Sequence, residues 1–228
     1  MIKGIIFDLD GTLLDTSYDL QTAVNKIMDD YGFNHYSVKE IIEKVGNGNK
    51  KLIERCLPKD RLDLLDEAVE KFYDYYAECY LEKTIPYDGI VDLLKELNKR
   101  KILIGVNTNK FDLFCENLLK EKFEGIDFFK CIGSRDNIPN KPDPYSTNEI
   151  INEMNFNKDE VLFVGDSDVD IKTGKNAELK CIWVSWGFRS LEDIKDNEPD
   201  FKANKASDIL LVIDKLNNKP IVVNPVTK

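Results

Sequence analysis

The sequence predicts an α/β protein: a parallel sheet flanked by helices, interrupted after its first strand by an inserted all-helical domain. Three observations carry this. A short apolar run, Lys3 to Phe7, stops at an acidic, glycine-containing turn, as a buried parallel strand feeding a site does. From about Thr16 to Glu82 apolar residues recur at spacings of three and four, with no strand pattern. After Pro86-Tyr87-Asp88-Gly89 helical and strand patterns alternate, and right-handed crossovers turn such a pattern into a parallel sheet. The predicted division is residues 1–14 and 85–228 for the core and 15–84 for the insertion.

Within the insertion, Leu20, Ala23, Val24, Ile27, Met28 and Tyr31 form the apolar stripe of one helix, which Gly32 ends. Ser37 and Glu40 have capping-box spacing and open a second helix that runs through Val45. Gly46-Asn47-Gly48 breaks it, a third helix begins near Asn49, and a long fourth is expected from about Asp60 to Leu81. In the core, helices are expected at Ile90–Arg100, Phe111–Lys122, Pro144–Met154, Val169–Ala177 and Ala206–Leu216. The alternating strands are Ile102–Val106, Phe129–Ile132, Val161–Val164 and Cys181–Val184. The tail, Asn217 to Lys228, reads as a frayed end, a late strand or tag-like residue.

Composition narrows the function. The chain has 228 residues, is 42% apolar and 32% charged, and carries a formal charge of −10. That balance argues against a general nucleic-acid or anionic-membrane binder, both of which need a basic surface. It leaves room for an anionic small substrate met by a local positive site or a bound cation. No stretch approaches the roughly 20 apolar residues that span a bilayer. The N-terminus turns acidic at Asp8, too soon for a signal-peptide apolar region. Cys56, Cys79, Cys115, Cys131 and Cys181 are scattered and odd in number, which reads as buried reduced thiols. Together these predict a cytoplasmic protein, a monomer or a homodimer.

Ligands of open parallel sheets bind beyond the carboxyl ends of the strands. Asp8-Leu9-Asp10-Gly11-Thr12 follows the first predicted strand, and Asn107-Thr108-Asn109-Lys110 the second. Asn140-Lys141-Pro142-Asp143-Pro144 stands before the fourth, and Gly165-Asp166-Ser167-Asp168-Val169-Asp170 after it. The topology therefore gathers several carboxylates, a hydroxyl and a lysine at one edge. Carboxylates this crowded repel unless a cation or protons intervene. An all-oxygen set without His or Cys suits Mg²⁺ and argues against zinc. Asp8 and Asp10, two apart, face one way in strand geometry. Lys141 supplies a point charge suited to a phosphoryl oxygen. Any one of these loops could be a solvated turn; four in order, each at a strand end, make that reading improbable.

These four segments resemble the motifs of the haloacid-dehalogenase-like hydrolase superfamily over essentially the whole chain. Thr-Asn-Lys, Lys-Pro-x-Pro and Val45-Gly46-Asn47-Gly48 are most similar to its phosphoglycolate-phosphatase-like members. The resemblance implies a Rossmann-like core under a small helical cap, and a Mg²⁺-dependent phosphatase acting on a small phosphorylated metabolite through a phosphoaspartyl intermediate. On this basis Asp8 is the expected nucleophile and a metal ligand. Asp10 is the expected general acid and then base, with its carbonyl on the metal. Asp166 completes the metal site, and Thr108, Asn109 and Lys141 hold the phosphoryl oxygens. Asp170 acts through a metal-bound water or by orienting Lys141, and Gly46, Asn47 and Gly48 face the substrate. One departure is that Ala177 is followed by Glu178 where the family commonly has glycine.

Alternatives remain on the same scaffold. A sugar-phosphate mutase often carries Val where Thr12 stands. A phosphonate hydrolase needs a Schiff-base lysine in the cap, for which Lys50 and Lys51 are candidates. A dehalogenase lacks the second aspartate, and a non-catalytic binding module has no need of intact Asp8, Asp10, Lys141 and Asp166. His35 is expected at the surface. Phe72, Tyr73, Tyr75, Tyr76 and Tyr80 are expected in packing. Trp183 and Trp186 flank the last strand; the Gly187-Phe188-Arg189 turn after it is expected in packing by default, while the family resemblance places it near the rim of the site.

Overall fold

The computed structural model of the chain describes residues 1–217. Most of the tail considered above, residues 218–228, lies outside the described residues. Strand β1 (Gly4–Phe7) is buried along its whole length. It sits at the centre of a six-stranded parallel sheet of order β5-β4-β1-β6-β7-β8. The partners are β4 (Leu103–Phe111), β5 (Lys130–Ser134), β6 (Val161–Gly165), β7 (Lys180–Val184) and β8 (Phe201–Ala203).

Alternation along the strands fills both faces, as a period of two requires. Ile5 and Phe7 join Ile104, Val106, Leu162 and Val164 in the cluster that takes in α5 (Ile90–Lys99), α6 (Asp112–Lys122) and α9 (Ala206–Leu216). Ile6 and Phe163 point the other way, into the cluster with α7 (Tyr145–Met154) and α8 (Asp168–Asn176). The sheet is thus covered on both sides, and β1 and β6 lie side by side at its middle in register, Phe7 opposite Val164.

Between β2 (Leu14–Asp15) and β3 (Ile85–Pro86) the chain is helical: α1 (Ser17–Tyr31), α2 (Val38–Lys44), α3 (Asn49–Cys56) and α4 (Leu65–Cys79). Gly32 closes α1 in the left-handed conformation, and the Ser37–Glu40 capping box opens α2. Helix α1 buries Leu20, Ala23, Val24, Ile27 and Met28, and α4 buries Ala68, Phe72 and Tyr76. The Tyr76 ring meets Phe114 of α6 edge-on, 5.1 Å between centroids, so the packing runs unbroken from the insertion into the core. Asp19, fully buried, ties the two ends of the insertion together. Its carboxylate accepts from the amides of Lys83 (3.0 Å) and Thr84 (2.8 Å) and from the Thr84 hydroxyl (2.8 Å).

Four sequence expectations need correction. The fourth helix starts at Leu65 rather than Asp60, because Lys59–Leu64 is a 3₁₀ stretch with a non-helical Arg61 and no buried residue to hold it. Two short antiparallel strands, β2 and β3, pair where the insertion leaves and re-enters the core. Strand β4 runs on to Phe111 with a register irregularity after Asn107, so Asn107–Lys110 is extended backbone and not a loop. The sheet has a sixth, edge strand at Phe201–Ala203, too short to leave a periodic signal.

Candidate active site

The cavity of about 240 Å³ lies between the carboxyl edge of the sheet and the insertion. Its core wall includes Asp8, Asp10, Thr108, Asn109, Lys110, Lys141 and Asp166, and its far wall includes Gly46, Asn47, Gly48 and Arg55.

Asp8 leaves the end of β1 with its amide still bonded to Val164 of β6 (2.9 Å). Lys141 Nζ lies 2.6 Å from Asp170 Oδ1 and 2.7 Å from Asp8 Oδ1, and all three side chains are buried. The Asp170 contact is a hydrogen bond. The Asp8 contact is an ion pair with poorer hydrogen-bond alignment. The other Asp170 oxygen accepts from the Ser167 amide (3.0 Å) and hydroxyl (2.6 Å), closing a capping box at the start of α8. Asp170 therefore orients Lys141, and a Cβ at Gly165 would fall within 2.2 Å of it. Asn109 fixes the same lysine from its backbone: its side chain accepts from Lys141 N (2.8 Å) and donates to Lys141 O (3.1 Å).

Asp166 sits in a slot. Gly11, at φ +84°, and Gly187 flank it; an added Cβ would come within 2.9 Å of the carboxylate from one side and 2.6 Å from the other. The Phe188 amide donates to Asp166 Oδ2 (2.7 Å), and the Trp183 indole to its carbonyl (2.8 Å). Thr12 donates to Oδ1 at 3.3 Å. The Gly187-Phe188-Arg189 turn, expected in packing by default and near the site rim by family resemblance, is thus at the site; the contact of Phe188 with Asp166, over 20 residues away, has no local signal in the sequence.

Lys110 is the second residue that sequence reasoning missed. Its ammonium is buried, 3.1 and 3.3 Å from the Asp10 oxygens and 4.5 Å from the centre of the Tyr76 ring on α4. A signal existed: Thr108 and Lys110 are two apart, and on the extended backbone of β4 such residues share a face.

The electrostatics follow from burial. Desolvation first, and then the charge of Asp170, push the Asp8 carboxyl up to about 7. Desolvation, then Asp170 and Asp8, push Asp166 up to about 8. Burial alone would depress Lys141, but Asp170 and Asp8 outweigh it and raise the ammonium. Lys110 is raised likewise: burial acts against the charge, but Asp10 and Tyr76 together outweigh it. Oxygens of Asp8, Asp166 and Asp170 all lie within 4.8 Å of one another. A hard-oxygen cluster with more carboxylates than ammonium groups fits a divalent cation.

Comparison with known proteins agrees. The family model for haloacid dehalogenase-like hydrolases matches residues 5–184. The chain belongs to this family. A phosphoglycolate phosphatase of Vibrio parahaemolyticus is 31% identical over 93% of this chain and 96% of its own length. One from Vibrio vulnificus is 33% identical over 93% and 96%. A solved structure from Lactobacillus delbrueckii subsp. bulgaricus, provisionally termed a phosphoglycolate phosphatase, superposes with TM-score 0.84 at 30% identity, covering 92% of this chain and 98% of that one. The chain is a family hydrolase of the phosphatase type. Lys50 and Lys51, the lysines a phosphonate hydrolase would need, are exposed on α3, pair with Asp66 and Glu54, and do not line the cavity. His35 is exposed against Asp29. The cysteines form no disulfide. Among the described residues no helix is long and apolar enough to cross a membrane.

Proposed function

We propose that this chain is a Mg²⁺-dependent phosphomonoesterase that works through an aspartyl-phosphate on Asp8, with residues 15–84 as a cap over a core of 1–14 and 85–228. The observation that carries the proposal is Lys141, held between Asp8 (2.7 Å) and Asp170 (2.6 Å) with buried Asp166 beside them. A carboxylate there is desolvated yet faced by a cation, which is the setting of an activated nucleophile and a phosphoryl clamp. Asp8, Asp166 and the Asp10 carbonyl would hold the metal, which supplies charge neutralisation to the phosphoryl oxygens when bound.

An Asp8 oxygen attacks phosphorus, and the phosphorus–oxygen bond to the alcohol breaks. Asp10 gives its proton to the departing alkoxide. Asp10 then takes a proton from water as that water attacks phosphorus, and the bond to Asp8 breaks. Thr108 and Lys141 hold the non-bridging oxygens, Lys110 positions the Asp10 carboxylate, and Asn109 positions Lys141. A cavity near 240 Å³ favours a small ester, and the named relatives make 2-phosphoglycolate the first to try.

The two aspartates separate under a leaving group that departs without a proton. With p-nitrophenyl phosphate and Mg²⁺, rapid-quench trapping should find labelled phosphate accumulating on Asp10→Asn and none on Asp8→Asn. A phosphoenzyme in Asp8→Asn would refute the nucleophile assignment. Asp10→Asn turning over at the unmodified rate, with hydrolysis of the intermediate limiting, would refute the base.

A further inference from the structure

The insertion side of the cavity carries cationic charge that the mechanism above does not use. The chain has five arginines. Among the described residues Arg61, Arg100 and Arg135 each stand against a carboxylate, and Arg55 and Arg189 do not. These two are also the arginines that line the cavity. Arg55 comes from α3 and Arg189 from the turn after β7. A Cβ added at Gly46 would lie 3.9 Å from Arg55 Nη1 and 3.7 Å from Arg189 Nη2, so the two guanidinium groups converge on one spot.

Their present partners are carbonyls at the end of α2 and, for Arg189, also Phe188 O (3.4 Å). Arg55 Nη1 donates to Lys44 O (2.7 Å) and Gly46 O (3.0 Å). Arg189 donates to Ile42 O (2.7 Å) and Val45 O. A helix C-terminus orients a guanidinium with partial charge and does not neutralise it. Arg55 Nε and Nη2 and Arg189 Nε donate to nothing among the described residues. Glu43, the carboxylate of α2 that lines the same cavity, pairs with neither arginine. In a chain of net charge −10, two guanidinium groups thus line the cavity with no ion-pair partner within 4.0 Å among the described residues, the nearby Asp193 carboxylate being turned to Ser190.

We propose that Arg55 and Arg189 recognise a second anionic group on the substrate, a carboxylate, beside Gly46, while Lys141 and Thr108 take the phosphoryl group. The planar fork of a guanidinium matches the two oxygens of a carboxylate. The inference rests on the phosphatase reading and adds to it the residues that choose among esters.

The test is the ratio of kcat/KM for 2-phosphoglycolate to that for 2-phosphoglycolamide, the isostere whose carboxylate is replaced by a neutral amide, with Mg²⁺. The ratio is internal to each variant, so loss of folded protein cancels. The unmodified enzyme should prefer the acid. Arg55→Gln and Arg189→Gln should each lower the ratio by about 10- to 100-fold, the worth of one hydrogen bond to a charged group. Arg55→Lys and Arg189→Lys, which keep the charge, should retain part of the preference. Lys51→Gln, a cationic neighbour on α3 outside the cavity, should leave the ratio unaltered. A ratio near one in the unmodified enzyme, or one that both Gln variants preserve, overturns the proposal; the latter is what a purely helix-capping role predicts. Stronger preference for a doubly phosphorylated two-carbon ester overturns the carboxylate assignment. Release of phosphate from neither ester, nor from p-nitrophenyl phosphate, fails the phosphatase reading itself.

Discussion

The two walls of the cavity are held by different physics. The core wall is made of buried charges that hold one another: Lys141 with Asp8 and Asp170, and Lys110 with Asp10. The insertion wall is a turn, Gly46-Asn47-Gly48, whose successive φ angles of 120°, 62° and 87° are pinned by guanidinium groups reaching backbone carbonyls. Removing one member of a buried pair strands the other in low dielectric, whereas water replaces a lost partner at an exposed turn. The core wall should therefore fail all at once, and the insertion wall should retune.

The sharpest break of that contrast is Lys141→Met. It removes the ammonium that Asp8 and Asp170 share, so activity should fall by about a thousandfold or more. Stability without Mg²⁺ should drop by about 3 kcal/mol. Urea denaturation with and without Mg²⁺ reads the second effect, and a loss no larger than that of Arg55→Gln would erase the distinction between the walls.

Metal removal should expose the same asymmetry through pH. Asp8 and Asp166 have folded values near 7 and 8 against an ordinary 3.8, so the native state binds their protons more tightly than the unfolded chain does. Stability of the chelated protein should therefore be greatest at low pH as far as these groups are concerned. It should fall as pH rises from the ordinary carboxylate range through about 8. The slope should be at most about 1.4 kcal/mol per pH unit for each group. Saturating Mg²⁺ should flatten it; a chelated protein with no such slope in thermal melts would mean that the carboxylates are compensated already.

Further from the site the effects shrink. Asp19→Asn puts an amide against donors from Lys83 and Thr84 and should cost about 2 kcal/mol, seen as a lower urea midpoint. Ser37→Ala, at the exposed start of α2, should cost about 1 kcal/mol by the same measurement. An effect at Ser37 exceeding that at Asp19 would contradict the view that burial sets the scale.

The core wall was readable because each of its motifs is local. Asp8, Asp10, Asp166 and Lys141 fall within a few residues of apolar runs or of Gly and Pro punctuation, and the parallel order of the strands does the gathering. Asn107–Lys110 read as a loop because its polar side chains face a site rather than a core, although the backbone stays extended to Phe111. Strand β8 escaped because three residues carry no period. The contacts of Arg189 had no local signal: the family resemblance placed its turn near the site rim, but its partners Ile42 and Val45 lie more than 140 residues away in sequence.

The sequence by itself determined the alternation of strand and helix, the helical insertion and the chemical groups at the strand ends, since these follow from short-range periodicity and from where each strand stops. The tertiary structure decided which charges pair. Asp10 meets Lys110, Asp8 and Asp170 share Lys141, and Asp166 lies under the Phe188 amide, because strands distant in sequence end side by side and exclude water from the groups between them. It also decided that two arginines from different parts of the chain converge beside Gly46 without a salt bridge among the described residues. Charge compensation is a property of neighbours in space, and only the fold selects those neighbours.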